Sequence, residues 1–199
     1  QVYTNHTEWI RGLHRLDFTQ MFRRYVFSLP EDTRLRRPIY RRDNAQVAAM
    51  MKAYQLPYGR TVILSPYSNT LADMPISFWE ELAKGLKAKG YSVCTNCGSD
   101  EEEAIKGTKA VRCLLNLAPQ FVEAAGGFVG IRSGFCDVIS AAEARKVVLY
   151  DVDNYFYNCK AIEYFSLLKI GLCRDVHEIE FEHTSVVETI EDVIKVFGE

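Results

Sequence analysis

"GFVGIRSGFCDVISAAEARKVVLYD", residues 127–151, decides the fold. The run Phe128-Val129-Gly130-Ile131 is apolar and stops at a charge, Arg132. Ser133 and Gly134 make a corner, Cys136 to Arg145 reads as a helix of small residues, and Lys146 to Tyr150 is a second apolar run. Strand, corner, helix, strand is the repeating unit of a parallel sheet, because parallel neighbours need a long crossover. Strands without polar alternation are buried on both faces, so helices cover the sheet on both sides.

The same pattern extends outward. Thr61-Val62-Ile63-Leu64 and Tyr91-Ser92-Val93-Cys94 are further strands, with a short one at Ala110-Val111-Arg112. Ser77 with Glu80 has capping-box spacing for a helix that stops at Gly90. "SDEEEAIKG" (99–107) reads as a helical turn, and Pro119 to Ala125 as a short helix with Pro in its first turn. "HEIEFEH" (177–183) predicts a strand, and Ser185 with Glu188 a second capping box opening a last helix to Val196. The fold class is therefore α/β, a doubly wound, Rossmann-like parallel sheet. Residues 56–199 are assigned to it. Residues 1–55 are read as a helical appendage, an interdomain or linker segment. There Trp9, Ile10, Leu13, Leu16 and then Phe18, Met21, Phe22, Tyr25 keep helical spacing, "SLPEDTRLRRP" (28–38) is a loop, and Asp43 or Asn44 caps a helix to Tyr54.

Nearly half of the 199 residues are apolar, which supports a sizeable core. The formal net charge of −2 gives no reason to expect a nucleic-acid partner. The charge is unevenly spread: residues 1–60 hold 11 Lys and Arg against 5 Asp and Glu. "RLRRPIYRR" (34–42) is the densest basic patch, either a solvated surface or a docking site for anions, acidic headgroups or another domain. Six cysteines include Cys94 and Cys97 at Cys-x-x-Cys spacing, but no second cluster completes a metal-ligand set, so no metal is expected and the thiols read as free. No apolar run reaches the ~20 residues of a membrane span, which allows at most peripheral membrane contact.

In an open parallel sheet, ligands bind beyond the carboxyl ends of the strands. Arg132-Ser133-Gly134 follows one such end. A helix start exposes unpaired N–H groups, Gly134 admits a ligand close to the backbone, Ser133 caps or donates, and Arg132 adds a forked cation. These describe an anion site fit for a diphosphate. The same residues also suit an ordinary β–α turn with Arg132 in water. Asp137, one turn on, favours the helix dipole but repels a diphosphate unless it meets a hydroxyl. The loop after the first strand offers Ser65, Tyr67, Ser68, Asn69 and Thr70, suited to sugar or phosphate oxygens or to a self-bonded turn. Neither a dinucleotide nor a P-loop glycine fingerprint is present. Asp151 is placed to meet a sugar hydroxyl or an amine, or to cap a turn. No nucleophile–base set is visible, and catalytic residues are not assigned.

"TVILSPYSNTLADMPISFWEELAKGLKAKGYSVCTNCGSDEEE" (61–103) resembles the start of the C-terminal half of GT-B glycosyltransferases, most of all the ADP-heptose–lipopolysaccharide heptosyltransferase family. "LNLAPQFVEAAGGFVGIRSGFCDVISAAEARKVVLYD" (115–151) is similar to that family's next segment, and "LDFTQMFRRYVFSLPEDTRLRRPIY" (16–40) to its interdomain segment. Arg132 stands where the family's loop usually has Asp, and Asp137 near the position of its His. The resemblance implies a half-molecule that binds a nucleoside-diphosphate sugar as substrate, without a resident cofactor. The diphosphate would lie at Arg132, Ser133 and Gly134, faced by Ser65, Tyr67 and Ser68. It further implies a glycan or lipid-linked acceptor bound by an N-terminal domain or partner chain, and a place in the cytoplasm or at the inner membrane face. Two other classes fit the residues: a non-catalytic α/β interaction module, and a sugar-nucleotide epimerase or hydrolase.

Overall fold

The computed structural model describes residues 16–34, 36–69, 74–156 and 159–198. Thr70, and the predicted helical residues Trp9, Ile10 and Leu13, lie outside them. Chain order is α1 (Phe18–Met21), continued by a wider π turn over Phe22–Val26, α2 (Asn44–Ala53), β1 (Thr61–Ser65), α3 (Ile76–Ala88), β2 (Ser92–Asn96) and β3 (Lys109–Val111). Then come α4 (Ala118–Ala125), β4 (Gly126–Ile131), α5 (Gly134–Val138) with a 3-10 turn over Ile139–Ala141, and β5 (Arg145–Asp151). The chain ends with a small hairpin, β6 (Tyr155–Phe156) and β7 (Cys159–Lys160), then α6 (Ala161–Phe165), β8 (Val176–Phe181) and α7 (Val186–Gly198).

Six strands form one sheet in the order β3-β2-β1-β4-β5-β8, and every pairing in it is parallel. The α/β, Rossmann-like fold is as the apolar runs predict. Val62, Ile63 and Leu64 in β1, and Val147, Val148 and Leu149 in β5, are wholly buried, as strands covered on both faces must be. The hydroxyl of Tyr91 ties the sheet to α7 by donating to the Phe197 carbonyl at 2.9 Å.

Several local expectations are corrected. α3 starts at Ile76 behind Pro75, with no side-chain cap, so Ser77 and Glu80 form no capping box there; the proline has already set the entry turn. The acidic stretch 99–107 is bends and a turn, because Glu102 reaches back to the Gly98 N–H at 2.6 Å instead of joining a helix. The helix expected over 136–145 is the short α5 and its 3-10 turn, since the extended residue Ala142 ends it and β5 begins at Arg145. The helix expected through Tyr25 is one turn, opened by a capping box between Asp17 and Gln20, followed by the π turn. The hairpin and α6 had no counterpart in the apolar pattern.

The segment ahead of residue 55 packs on the sheet and its helices. Val47 and Met51 of α2 share the core of the sheet. The Asp43 N–H donates to Gln120 of α4 at 2.6 Å, and Arg42 pairs with Glu123 at 2.6 Å. α1 packs on α6, with the Phe18 ring 5.8 Å from Tyr164 and 5.6 Å from Phe165.

Candidate functional site

β1 and β4 are sheet neighbours, yet β2 and β3 lie between them in the chain. The connection from β1 leads toward one edge of the sheet and the connection from β4 toward the other. Loops leaving their carboxyl ends therefore diverge and leave a crevice. A cleft of about 400 Å³ lies at this switch. Ser65, Tyr67, Ser68 and Asn69 form one wall, Ser133, Gly134 and Phe135 the other, and Asn96, Gly98 and Glu102 close the end beside β2.

The floor is built by register. Ser65 pairs with Gly130 across the two strands. A Cβ at Gly130 would fall 2.6 Å from the Phe128 ring and 3.1 Å from Ser65 Cβ, so this glycine serves packing beneath the cleft. Tyr67 donates its hydroxyl to the Glu103 carbonyl at 2.5 Å. Burial, then the neighbouring Cys97, Glu102 and Glu103, push its phenol above the ordinary value, so it stays a neutral donor. Asn96 accepts the Cys113 N–H at 3.0 Å, which fixes the end of β2. Ser133 occupies the N-cap of α5 without a side-chain cap bond, which leaves capping to the backbone: the Cys136 N–H donates to the Ser133 carbonyl at 3.0 Å. At Gly134 an added Cβ would meet no atom of the described residues within 4 Å. The corner is open toward the cleft.

Five of the seven residues expected at the site meet there: Ser65, Tyr67, Ser68, Ser133 and Gly134. Arg132 and Asp137 do not line it. Arg132 is 5% exposed and turned inward. Its Nε donates to the Phe165 carbonyl at 2.9 Å, Nη1 donates to the Ser133 carbonyl, and Nη2 donates to Asp137 Oδ1 at 2.7 Å. Burial opposes its charge, but Cys136, Asp137 and Tyr150 together hold its pKa above the ordinary value. The expected free cation is thus corrected to an internal brace. Its partner is Asp137, which therefore has no need to meet a ligand hydroxyl. α5 has only five residues, so its dipole is short as well. Among the described residues lining the cleft there is no Lys or Arg, and Glu102 is a carboxylate. Chemically the cleft offers hydroxyls, two amides and close backbone approach, not charge neutralisation.

Glu102 and Phe135 were missed, whereas Asn96 and Gly98 belong to the strand-end loop 94–99, where a ligand was expected. Glu102 belongs to an acidic run whose pattern suits a solvated helix face, and its turn back to Gly98 is not encoded in that pattern. Asp151, at the end of β5, accepts the Asp153 N–H at 2.9 Å and meets His183 Nε2 at 3.2 Å. One donor atom each from Asp151, Asp153 and His183 lies within 4.8 Å of the others, the one such grouping among the described residues with metal-ligating chemistry. The sequence pattern missed it because β5 and β8 bring together residues thirty positions apart.

The architecture matches solved structures over most of the chain. The E. coli ADP-heptose LPS heptosyltransferase II superposes with a TM-score of 0.59 at 16% identity, over 87% of this chain and 56% of that one. A family 9 glycosyltransferase from Veillonella parvula gives 0.57 at 12% identity, over 90% and 52%. The chain has the fold of about half a heptosyltransferase. The E. coli heptosyltransferase WaaC with ADP agrees, at a TM-score of 0.54 and 13% identity, over 90% of this chain and 54% of that one. The GT-B resemblance read from residues 16–40, 61–103 and 115–151 is thereby shown at the level of fold. This chain spans about half the length of each of these enzymes. No protein-family model and no curated protein matches the sequence.

Proposed function

We propose that the chain is the donor-binding half of a GT-B glycosyltransferase and takes a nucleoside-diphosphate sugar in the β1/β4 cleft. The observation that carries this is the placement of Ser65, Ser68, Ser133 and the open Gly134 corner around one cleft at the switch in strand order. Solved structures of the same fold are described as heptosyltransferases, one of them with ADP. Hydroxyls and backbone N–H groups would hold the diphosphate, with the Arg132–Asp137 pair keeping the corner in shape. The nucleotide sugar is substrate, and no resident cofactor enters this proposal. The acceptor, a glycan or a lipid-linked sugar, and the groups that activate it would come from a second α/β half or a partner chain. A cytoplasmic site of action, at or near the inner membrane face, goes with that acceptor. No helix among the described residues is long and apolar enough to cross a membrane.

Titration calorimetry with ADP, GDP and UDP tests the reading. One of them is expected to bind in the micromolar range, and Gly134→Val, which fills open space without touching the core, is expected to abolish binding at unchanged melting temperature. Normal binding by that variant overturns the assignment of the cleft. A second reading, an α/β interaction module, is favoured by one observation, the carboxylate of Glu102 in a lining without a cation. Absence of binding to all three nucleotides selects it.

A further inference from the structure

A second cavity, of about 750 Å³, lies far from the crevice in chain terms, between the N-terminal segment and the turn after α6. Phe18, Phe22, Phe27, Leu29 and Ile170 give it an apolar lining. Arg23, Arg34, Arg36 and Lys169 also line it, against one carboxylate, Asp17. That carboxylate is spent within the fold, accepting the Gln20 N–H and the Thr19 hydroxyl, both at 2.8 Å.

Two observations point to an occupant. Arg23 Nε is buried and has no hydrogen-bond partner among the described residues, although Nη1 of the same side chain donates to the Glu31 carbonyl at 2.7 Å. A buried N–H without an acceptor is costly, and an anionic oxygen is the acceptor that best suits a guanidinium. Further, Phe27 is 63% exposed and Leu29 44% exposed at the cavity's edge, beside the cations. Apolar side chains and arginines alternating at a surface cavity match a molecule that is apolar at one end and anionic at the other. The volume lies within the range of ordinary ligand sites.

We propose that this cavity binds an acidic phospholipid of a membrane surface. One acyl chain lies against Phe18, Phe22, Phe27 and Leu29, and the phosphate is met by Arg23 and by Arg34 and Arg36 from the basic patch. This attaches the chain to a bilayer through its N-terminal segment and does not involve the nucleotide cleft.

Vesicle co-sedimentation tests it, with phosphatidylcholine alone and with phosphatidylcholine containing phosphatidylglycerol, at constant ionic strength. The chain is expected to bind the anionic vesicles and not the neutral ones. The double variant Arg34→Glu, Arg36→Glu should lose binding at least about tenfold. Phe27→Ser alters an exposed position without changing the charge, and it should lose about as much if the acyl chain is seated. Retention of binding by Phe27→Ser means charge attraction alone and overturns the cavity assignment. Release by inorganic phosphate at the same ionic strength means a free-anion site and overturns the lipid assignment. Failure of the unaltered chain to bind anionic vesicles overturns both. Circular dichroism melting of each variant checks its fold.

Discussion

Arg132 grips Asp137 with both ends of its guanidinium, Nη2 at 2.7 Å from one carboxylate oxygen and Nη1 at 3.2 Å from the other. Nε of the same side chain holds the Phe165 carbonyl at 2.9 Å. One buried cation therefore ties the corner after β4 to the end of α6. The two readings of Arg132, ligand cation or brace, make opposite predictions for Asp137→Asn. Freeing a ligand cation would tighten nucleotide binding. Loosening a brace weakens it, and that is the expected outcome by calorimetry. Asp137 is 41% exposed, so its loss should cost only about 1 kcal/mol in urea unfolding. Arg132→Met removes one of two donors from the Phe165 and Ser133 carbonyls, which keep the Tyr150 hydroxyl and the Cys136 N–H, and unpairs Asp137, so it should cost about 1–3 kcal/mol.

Gly126 and Gly171 both have positive φ, at +95° and +78°, but only the first is also crowded. A Cβ at Gly126 would stand 2.8 Å from Gly59 Cα, whereas at Gly171 it meets nothing within 4 Å. Gly171→Ala should therefore cost about 1 kcal/mol, the strain of a left-handed L-residue alone. Gly126→Ala adds a backbone collision where α4 turns into β4 and should cost about 2–3 kcal/mol or more. Equal unfolding midpoints for the two variants would contradict this packing.

Burial pushes the Cys94 thiol from its ordinary 9.0 up to about 12, and raises Cys113 and Cys136 in the same direction. Above pH 9 the unfolded chain gives up these protons while the folded chain keeps them. The unfolded state then binds fewer protons, so stability falls as pH rises. The contribution of Cys94 is complete below pH 9 and is lost progressively up to about pH 12. Each such thiol steepens the decline by about 1.4 kcal/mol per pH unit within its window. Urea midpoints measured from pH 8 to 11 should fall less steeply in Cys94→Ala than in the unaltered chain. Parallel curves would place Cys94 in contact with water.

Strands and their burial were legible because the signal is local. Apolar runs of four or five residues, such as Val62-Ile63-Leu64 and Val147-Val148-Leu149, state their own two-sided covering. Helix ends were less legible where a neighbour overrides the local motif, as Pro75 does ahead of Ser77 and Glu102 does by bonding the Gly98 N–H. The walls of the cleft were found because strand ends carry their loops with them: Ser65, Tyr67, Ser68, Ser133 and Gly134 follow directly from β1 and β4. Glu102 reaches the cleft through the position of β2 beside β1 and its turn back to Gly98, which no run of residues states.

By itself the sequence determined the parallel sheet, the loops at its carboxyl ends and the polar character of the corner at residues 132–134. Periodicity and side-chain type are properties of neighbours along the chain. Where the charge of Arg132 goes was decided only in three dimensions. Its acceptor Phe165 lies on an element thirty-three residues away, brought alongside by the packing of α6 on the sheet. A buried guanidinium must satisfy its donors wherever the fold supplies oxygens, and that supply is a property of the tertiary structure.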